Sequence, residues 1–190
     1  MVSFPQEQLE AARRGNVQAF RALVEAHQRF VYAVAFRMVR NEQDAEDIAQ
    51  DVFVRLWKHL GTFRPDVKLT TWLYKIVVNR SLDFLKSVHG RQRKQAVDAS
   101  EHIALPAEGD PDRALRQQEL NTQVQAAADT LAPLQKAVFV LRDLEGLSTE
   151  ETALALEMST GNVKSNLFHA RQKVMSYLKE VYQTRERDFL

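Results

Sequence analysis

Residues Asp44 to Lys86 read DAEDIAQDVFVRLWKHLGTFRPDVKLTTWLYKIVVNRSLDFLK and constrain the chain more than any other stretch. Ile48, Val52, Phe53, Leu56, Trp57 and Leu60 recur at the period of an α-helix, which predicts one apolar face that must be buried. The opposite face carries Asp47, Gln50, Asp51, Val54 and Lys58 toward solvent. Charge reverses along the same stretch. From Asn41 to Asp51 there are five carboxylates and no Lys or Arg, whereas from Arg55 to Lys86 seven Lys/Arg stand against Asp66 and Asp83. An acidic helical surface and a basic one are therefore expected close together.

The remaining composition agrees with a helical chain. With six glycines and five prolines in 190 residues, little strand-like alternation and long 3.6-residue periodicity, the fold class expected is all-α. This length allows one ordinary domain or two small ones. The net charge of +1 conceals opposite-sign blocks and is a poor guide to partners. The absence of cysteine excludes a disulfide framework and thiolate metal sites. The N-terminus lacks the basic start and apolar core of a signal peptide, and the densest apolar run, Phe30 to Phe36, is too short to span a bilayer. A cytoplasmic protein without membrane contact is expected.

Taken in order, Gln6 to Arg14 predicts a short helix stopped and restarted by Gly15 and Asn16. Val17, Phe20, Leu23, Val24, Phe30, Val31, Val34, Phe36 and Met38 continue an apolar stripe to Arg40, and Asn41 to Asp44 is a helix start with acidic residues at the positive end of the dipole. Gly61 to Leu69 reads as a loop, because Pro65 disfavours helix at Arg64. Thr70 to Lys86 is again helical, with Trp72, Leu73, Ile76, Val77 and Phe84 on its apolar side and Lys75, Asn79, Arg80 and Lys86 elsewhere. Cations interleaved with aromatics suit single-stranded nucleic acid, although Trp72 itself fits a packing role.

Arg91, Arg93 and Lys94 extend the basic surface, and the composition then turns acidic. From Asp98 to Glu119 six carboxylates oppose Arg113 and Arg116, and Pro106, Gly109 and Pro111 exclude a continuous helix early on. The expected division is a first domain over 1–95, an acidic linker over 96–111 and a second domain over 112–190. In the second, a helix from about Asp112 is followed by Pro133 in a first turn and by a helix through Val138 and Leu144 that Gly146 caps. Ser148-Thr149-Glu150-Glu151 is a capping box. It opens a short helix, and after a turn at Glu157 to Ser159 a longer one follows, which is a helix-turn-helix pattern. No carboxylate lies between Glu157 and Glu180, as a helix laid against phosphates requires. Thr160, Asn162, Lys164, Ser165, Asn166 and His169 fall at its start and outer face, where base edges would be met.

The acidic-faced helix, the loop GTFRPDVKLTTWL and the run IVVNRSLDFLK closely resemble region two of bacterial sigma factors, specifically the extracytoplasmic-function (ECF) group of the sigma-70 family. STEETALALEMSTGNVKSNLFHARQKV resembles region four of the same group. The resemblance covers roughly Phe20 to Lys86 and Leu131 to Lys179, and the chain has no room for the extra domains of primary sigma factors. It implies a sigma region 2 bundle and a sigma region 4 helix-turn-helix joined by a flexible linker, in a specificity subunit without catalysis.

The resemblance also implies partners and residue roles. Asp47, Gln50, Asp51 and Val54 would dock on the clamp helices of the catalytic subunit of core RNA polymerase, with its flap as a further contact. Phe63, Arg64, Lys68, Lys75, Asn79 and Arg80 would meet the promoter's minus-ten element, where a base leaves the stack to be read. Thr160, Gly161, Asn162, Lys164, Ser165, Asn166, Phe168, His169, Arg171 and Lys173 would meet the minus-thirty-five element. The acidic linker would thread the polymerase near the RNA path, and an anti-sigma factor would hold the two domains inactive. No metal or cofactor is implied: His27, His59, His89, His102 and His169 show no ligand-like pairing, and no phosphate-binding glycine loop is present. From the residues alone, two other readings stand: a dimeric helix-turn-helix regulator acting on duplex DNA, and a helical adaptor or anti-sigma-like protein with no DNA role.

Overall fold

The computed structural model describes residues 4–63, 68–87 and 111–188, and among them it contains eight α-helices and no strand. The chain divides into two compact units, the first built on the helices up to Lys86. Residues 88–110, which include Arg91, Arg93, Lys94 and almost all of the expected linker, lie outside the described residues.

In the first unit, α1 (Gln6–Arg13), α2 (Val17–Val39), α3 (Glu42–His59) and α4 (Leu69–Lys86) pack around α2. The core joins Leu23, Val31, Val34 and Met38 of α2 to Ile48, Val52 and Leu56 of α3 and Leu73, Val77 and Val78 of α4. Local chemistry sets the corners. Gly15 takes a left-handed φ of 86°, and the Asn16 side chain then caps α2 by accepting the Ala19 N–H at 3.0 Å. Asn41 caps α3 in the same way, accepting from Asp44 at 2.9 Å, which satisfies one of the open donors of a first turn. Between α2 and α3, Arg40 adopts φ 57°, a conformation costing a non-glycine residue roughly 1–2 kcal/mol. Its guanidinium lies 5.1 Å from the Phe36 ring centroid, an offsetting cation–π contact.

Two details differ from the sequence expectation. The loop after α3 begins as a 3₁₀ turn, Leu60–Thr62, in which Thr62 Oγ1 donates to the His59 carbonyl at 2.7 Å, and α4 starts at Leu69. The apolar stripes are also narrower at their ends: Val17, the first residue of α2, is 65% exposed, and Trp57 is 41% exposed. Trp57 packs against Phe20 at a centroid distance of 4.7 Å.

The second unit is built on α5 (Pro111–Asp129), α6 (Pro133–Phe139) and α8 (Thr160–Asp188). Ala127, Ala128, Leu131, Phe139, Ala170 and Val174 form its core, flanked by Val124, Leu144, Tyr177 and Leu178. Buried Lys136 is held by Asp129 at 2.7 Å. Pro133 occupies the first turn of α6. The helix then widens into a π turn, Val140–Leu144, closed by the Glu145 N–H on the Val140 carbonyl at 2.9 Å. Gly146, at φ 73°, ends it, with the Leu147 N–H on the Leu141 carbonyl.

The capping box that opens α7 (Thr149–Leu156) is made in both directions. Ser148 Oγ accepts the Glu151 N–H at 3.0 Å, and the Glu151 carboxylate accepts the Ser148 N–H at 2.9 Å. The turn to α8 passes through Glu157 at φ 53°, and Ser159 Oγ accepts the Asn162 N–H at 3.2 Å. Short helix, tight turn and long helix therefore follow as the sequence predicts.

Candidate protein and nucleic-acid interfaces

On α3, Asp47, Gln50 and Val54 are exposed. They fall at helical spacing along one line, and the same line reaches Trp57. Trp57 is the residue that the periodicity argument misplaced: it counted as core, yet it extends the exposed row with a large half-open ring. Its partner Phe20 lies in α2, too far along the chain for local pattern to reveal how much of the indole it covers. Asp51 stands beside this line, toward α4. It is only partly exposed, and its Oδ2 accepts from Arg80 Nε at 2.8 Å and lies 2.7 Å from Nη2.

That ion pair joins two residues expected on different surfaces. One residue along an α-helix is a rotation of about 100°, so Arg80 cannot share a face with both Asn79 and Lys75. It points to α3, while Lys75 and Asn79, both half-buried, lie four residues apart on a common side of α4. Lys68 is exposed immediately before α4, and Arg64 lies outside the described residues. Phe63 needs correction: it is 5% exposed and packs against Trp72 at a centroid distance of 5.1 Å. An aromatic residue in a glycine- and proline-containing loop reads as available to a base, but here it closes the edge of the core and presents no open ring.

On α8, Thr160, Gly161, Asn162, Lys164, Ser165, Phe168, His169, Arg171 and Lys173 are exposed and Asn166 is half-buried. Val163, Leu167, Ala170 and Val174 turn inward, so the helix divides into a packed side and an open polar side. Phe168 is 59% exposed with its ring edge-on to His169. Three of the expected contacts already have partners. The Asn166 amide donates to the Asn162 carbonyl at 2.9 Å, and Lys173 Nζ donates to Gln135 Oε1 at 3.1 Å. Arg171 forms a two-pronged pair with Asp143, Nε to Oδ2 at 2.9 Å and Nη2 to Oδ1 at 2.6 Å, and these hydrogen bonds raise its pKa above the ordinary arginine value. The positions of Asp143 on the π turn and Gln135 on α6 could not be read from a helical-wheel argument confined to α8. Near the start of α8, the field of Lys164 contributes to a lowered pKa at Glu150, whose larger causes are its own backbone N–H and the Ser148 side chain.

Among the described residues no group of His, Asp or Glu side chains is placed to hold a metal ion, and no helix is long and apolar enough to cross a membrane. Two surfaces suit recognition: a mixed acidic and apolar row on α3, and a polar face on α8 that carries no carboxylate of its own from Thr160 to Lys179.

Comparison with known proteins places the chain in a family. Residues 23–91 match the family model for sigma-70 region 2, and residues 121–174 match that for sigma-70 region 4. The RNA polymerase sigma-H factor of Pseudomonas aeruginosa is 32% identical over 177 residues, covering 89% of this chain and 91% of that one. The ECF RNA polymerase sigma-E factor of Escherichia coli is 31% identical over 172 residues, covering 87% and 90%. Among solved structures, CnrH in complex with the cytosolic domain of CnrY is 25% identical at a TM-score of 0.64, covering 91% of this chain and 96% of that one. The sigma factor RpoE of Bartonella quintana, in complex with the anti-sigma factor NepR, shares the fold at a TM-score of 0.62 and 22% identity, covering 86% and 98%. With both regions present in order and relatives aligned over nearly their whole length, the chain belongs to the sigma-70 family, in its extracytoplasmic-function group.

Proposed function

We propose that the chain is a promoter-specificity subunit: it binds core RNA polymerase and directs it to promoters carrying a matched pair of elements. The observation that carries this reading is that the chain matches both sigma-70 regions and leaves a candidate recognition face of each open to solvent. Asp47, Gln50 and Val54, joined by Trp57, form the docking row for the polymerase clamp helices. The acidic members suit a basic partner surface, and the Trp57 ring supplies apolar area of the kind that anchors interfaces.

Lys68, Lys75 and Asn79, with Arg64, meet the single-stranded minus-ten element. The open face of α8 enters the major groove at the minus-thirty-five element, with Thr160, Asn162, Lys164 and Ser165 nearest the helix start and Phe168 and His169 one turn on. Specificity comes from these contacts, and phosphodiester synthesis from the polymerase. The chain works in the cytoplasm. An anti-sigma factor that hides these surfaces is the expected regulator. The similar chain CnrH is seen bound by another protein, the cytosolic domain of CnrY, so a chain of this kind can be held in a protein complex.

Co-elution tests the docking row. The wild-type chain is expected to run with purified bacterial core polymerase on size exclusion, and Asp47→Arg to run free while keeping the wild-type circular dichroism spectrum. A wild-type chain that never co-elutes with core would overturn the reading.

A further inference from the structure

Two of the surfaces just described meet at one ion pair. Asp51 flanks the docking row of α3, and Arg80 belongs to the cation-bearing helix α4. Arg80 places both Nε and Nη2 on the same carboxylate oxygen, Oδ2, at 2.8 and 2.7 Å. Among the described residues, Asp51 Oδ1 accepts no hydrogen bond. The pair is half-open, with side-chain exposures of 30% for Arg80 and 48% for Asp51, so water and competing ions reach it. A half-open pair of this kind holds while no better partner is present, yet can change partner without stranding a fully buried charge.

We propose that Arg80 is a shared cation that couples polymerase docking to DNA binding. This rests on the functional reading above. In the free chain, Asp51 neutralises Arg80 and keeps it off nucleic acid. A cation of the docked partner, drawn to the open Oδ1, competes for the carboxylate, and Arg80 then turns from α3 to a phosphate of the opened strand. One charge is thereby moved from an internal pair to the DNA, and no other side chain need change partner. Coupling of this kind is reciprocal, so bound single strand also favours docking. It also accounts for a cation on the α3-facing side of α4, where it would serve a purely DNA-binding helix poorly.

The test reads salt dependence, because each phosphate neutralised on a single strand adds about 0.7 to the slope of log affinity against log salt. A labelled non-template-strand oligonucleotide is titrated with the full chain, free and bound to core polymerase, as wild type, Asp51→Asn, Arg80→Gln and the double variant. In the free chain, Asp51→Asn should steepen the slope by about 0.7, roughly a fivefold change in affinity across a tenfold span of salt. Arg80→Gln alone should leave the free chain's slope unaltered, and the double variant should return to wild type. With core bound, Arg80→Gln should lose the same 0.7.

A free-chain slope unaffected by Asp51→Asn, or already lowered by Arg80→Gln, would overturn the coupling. That result leaves wild-type docking and promoter use intact. Failure of the wild type to bind core, or to bind the oligonucleotide even with core, removes the functional reading together with the coupling. Thermal melting of each variant confirms that the comparison is made between folded chains, and the double variant separates a lost pair from a released cation.

Discussion

Asp51 and Arg80 illustrate how far single residues could be read from the sequence. Their chemistry was legible, a carboxylate on an acidic helix and a cation on a basic one, but their mutual contact spans α3 and α4 and left no local trace. Asp51→Arg would place two arginines face to face, so its effect on polymerase binding mixes docking with repulsion. The exchanged variant Asp51→Arg with Arg80→Asp is expected to recover within about 1 kcal/mol of wild-type stability, as measured by urea unfolding. The capping box was fully legible because all its atoms lie within four residues. Ser148→Ala is expected to cost about 1 kcal/mol in the same assay.

Its neighbour Glu150 supplies a pH prediction. The folded pKa lies below the ordinary 4.5, so the folded state holds its proton less tightly than the unfolded chain. The contribution is complete above the ordinary value and is lost as pH falls through the folded one. Any difference in melting temperature between wild type and Glu150→Gln should therefore be present at pH 7 and shrink below pH 4.5. A difference that grows on acidification would contradict the sign.

At the scale of elements, helical periodicity located α2, α3, α4 and α8 but only part of the core face of α4. There Leu73 and Val77 are buried as expected, while Trp72, Ile76 and Phe84 are half-buried and Tyr74, Val78, Leu82 and Leu85 fill the core instead. Periodicity failed where an element meets a distant one. Trp57 fits the apolar period of α3 but lies partly in the open, 41% exposed, with Phe20 of the distant α2 against its ring. Phe63 reads as loop and is core because Trp72 comes back over it. The π turn Val140–Leu144 has no composition of its own and was invisible in advance. It places Asp143 against Arg171, and this divides the cations of α8 into two kinds.

Lys164, exposed near the helix start, has only a minor field effect on Glu150 within the fold and should act chiefly on DNA. Lys164→Ala is expected to leave the melting temperature unaltered and to lower the duplex salt slope by about 0.9 if it meets a phosphate. If it meets a base instead, discrimination at one position should fall by about 1–3 kcal/mol. Arg171→Ala should lower the melting temperature by breaking the Asp143 pair, and Asp143→Asn should reproduce that loss. Equal melting temperatures for Arg171→Ala and wild type would mean that the pair is structurally idle.

At the scale of the molecule, charge order along the chain was informative where net charge was not. An acidic helix followed by a basic one, and later a stretch with no carboxylate from Met158 to Lys179, marked two places where opposite partners could be met. The two family regions coincide with those places. The central claim, that one chain serves both a polymerase and a promoter, is tested most directly by transcription in vitro. Purified bacterial core polymerase is given a promoter library with the chain added or omitted, and start sites are mapped. The account predicts starts that occur only with the chain and share two upstream elements. Their absence with wild-type protein, together with failure to bind core, would contradict it.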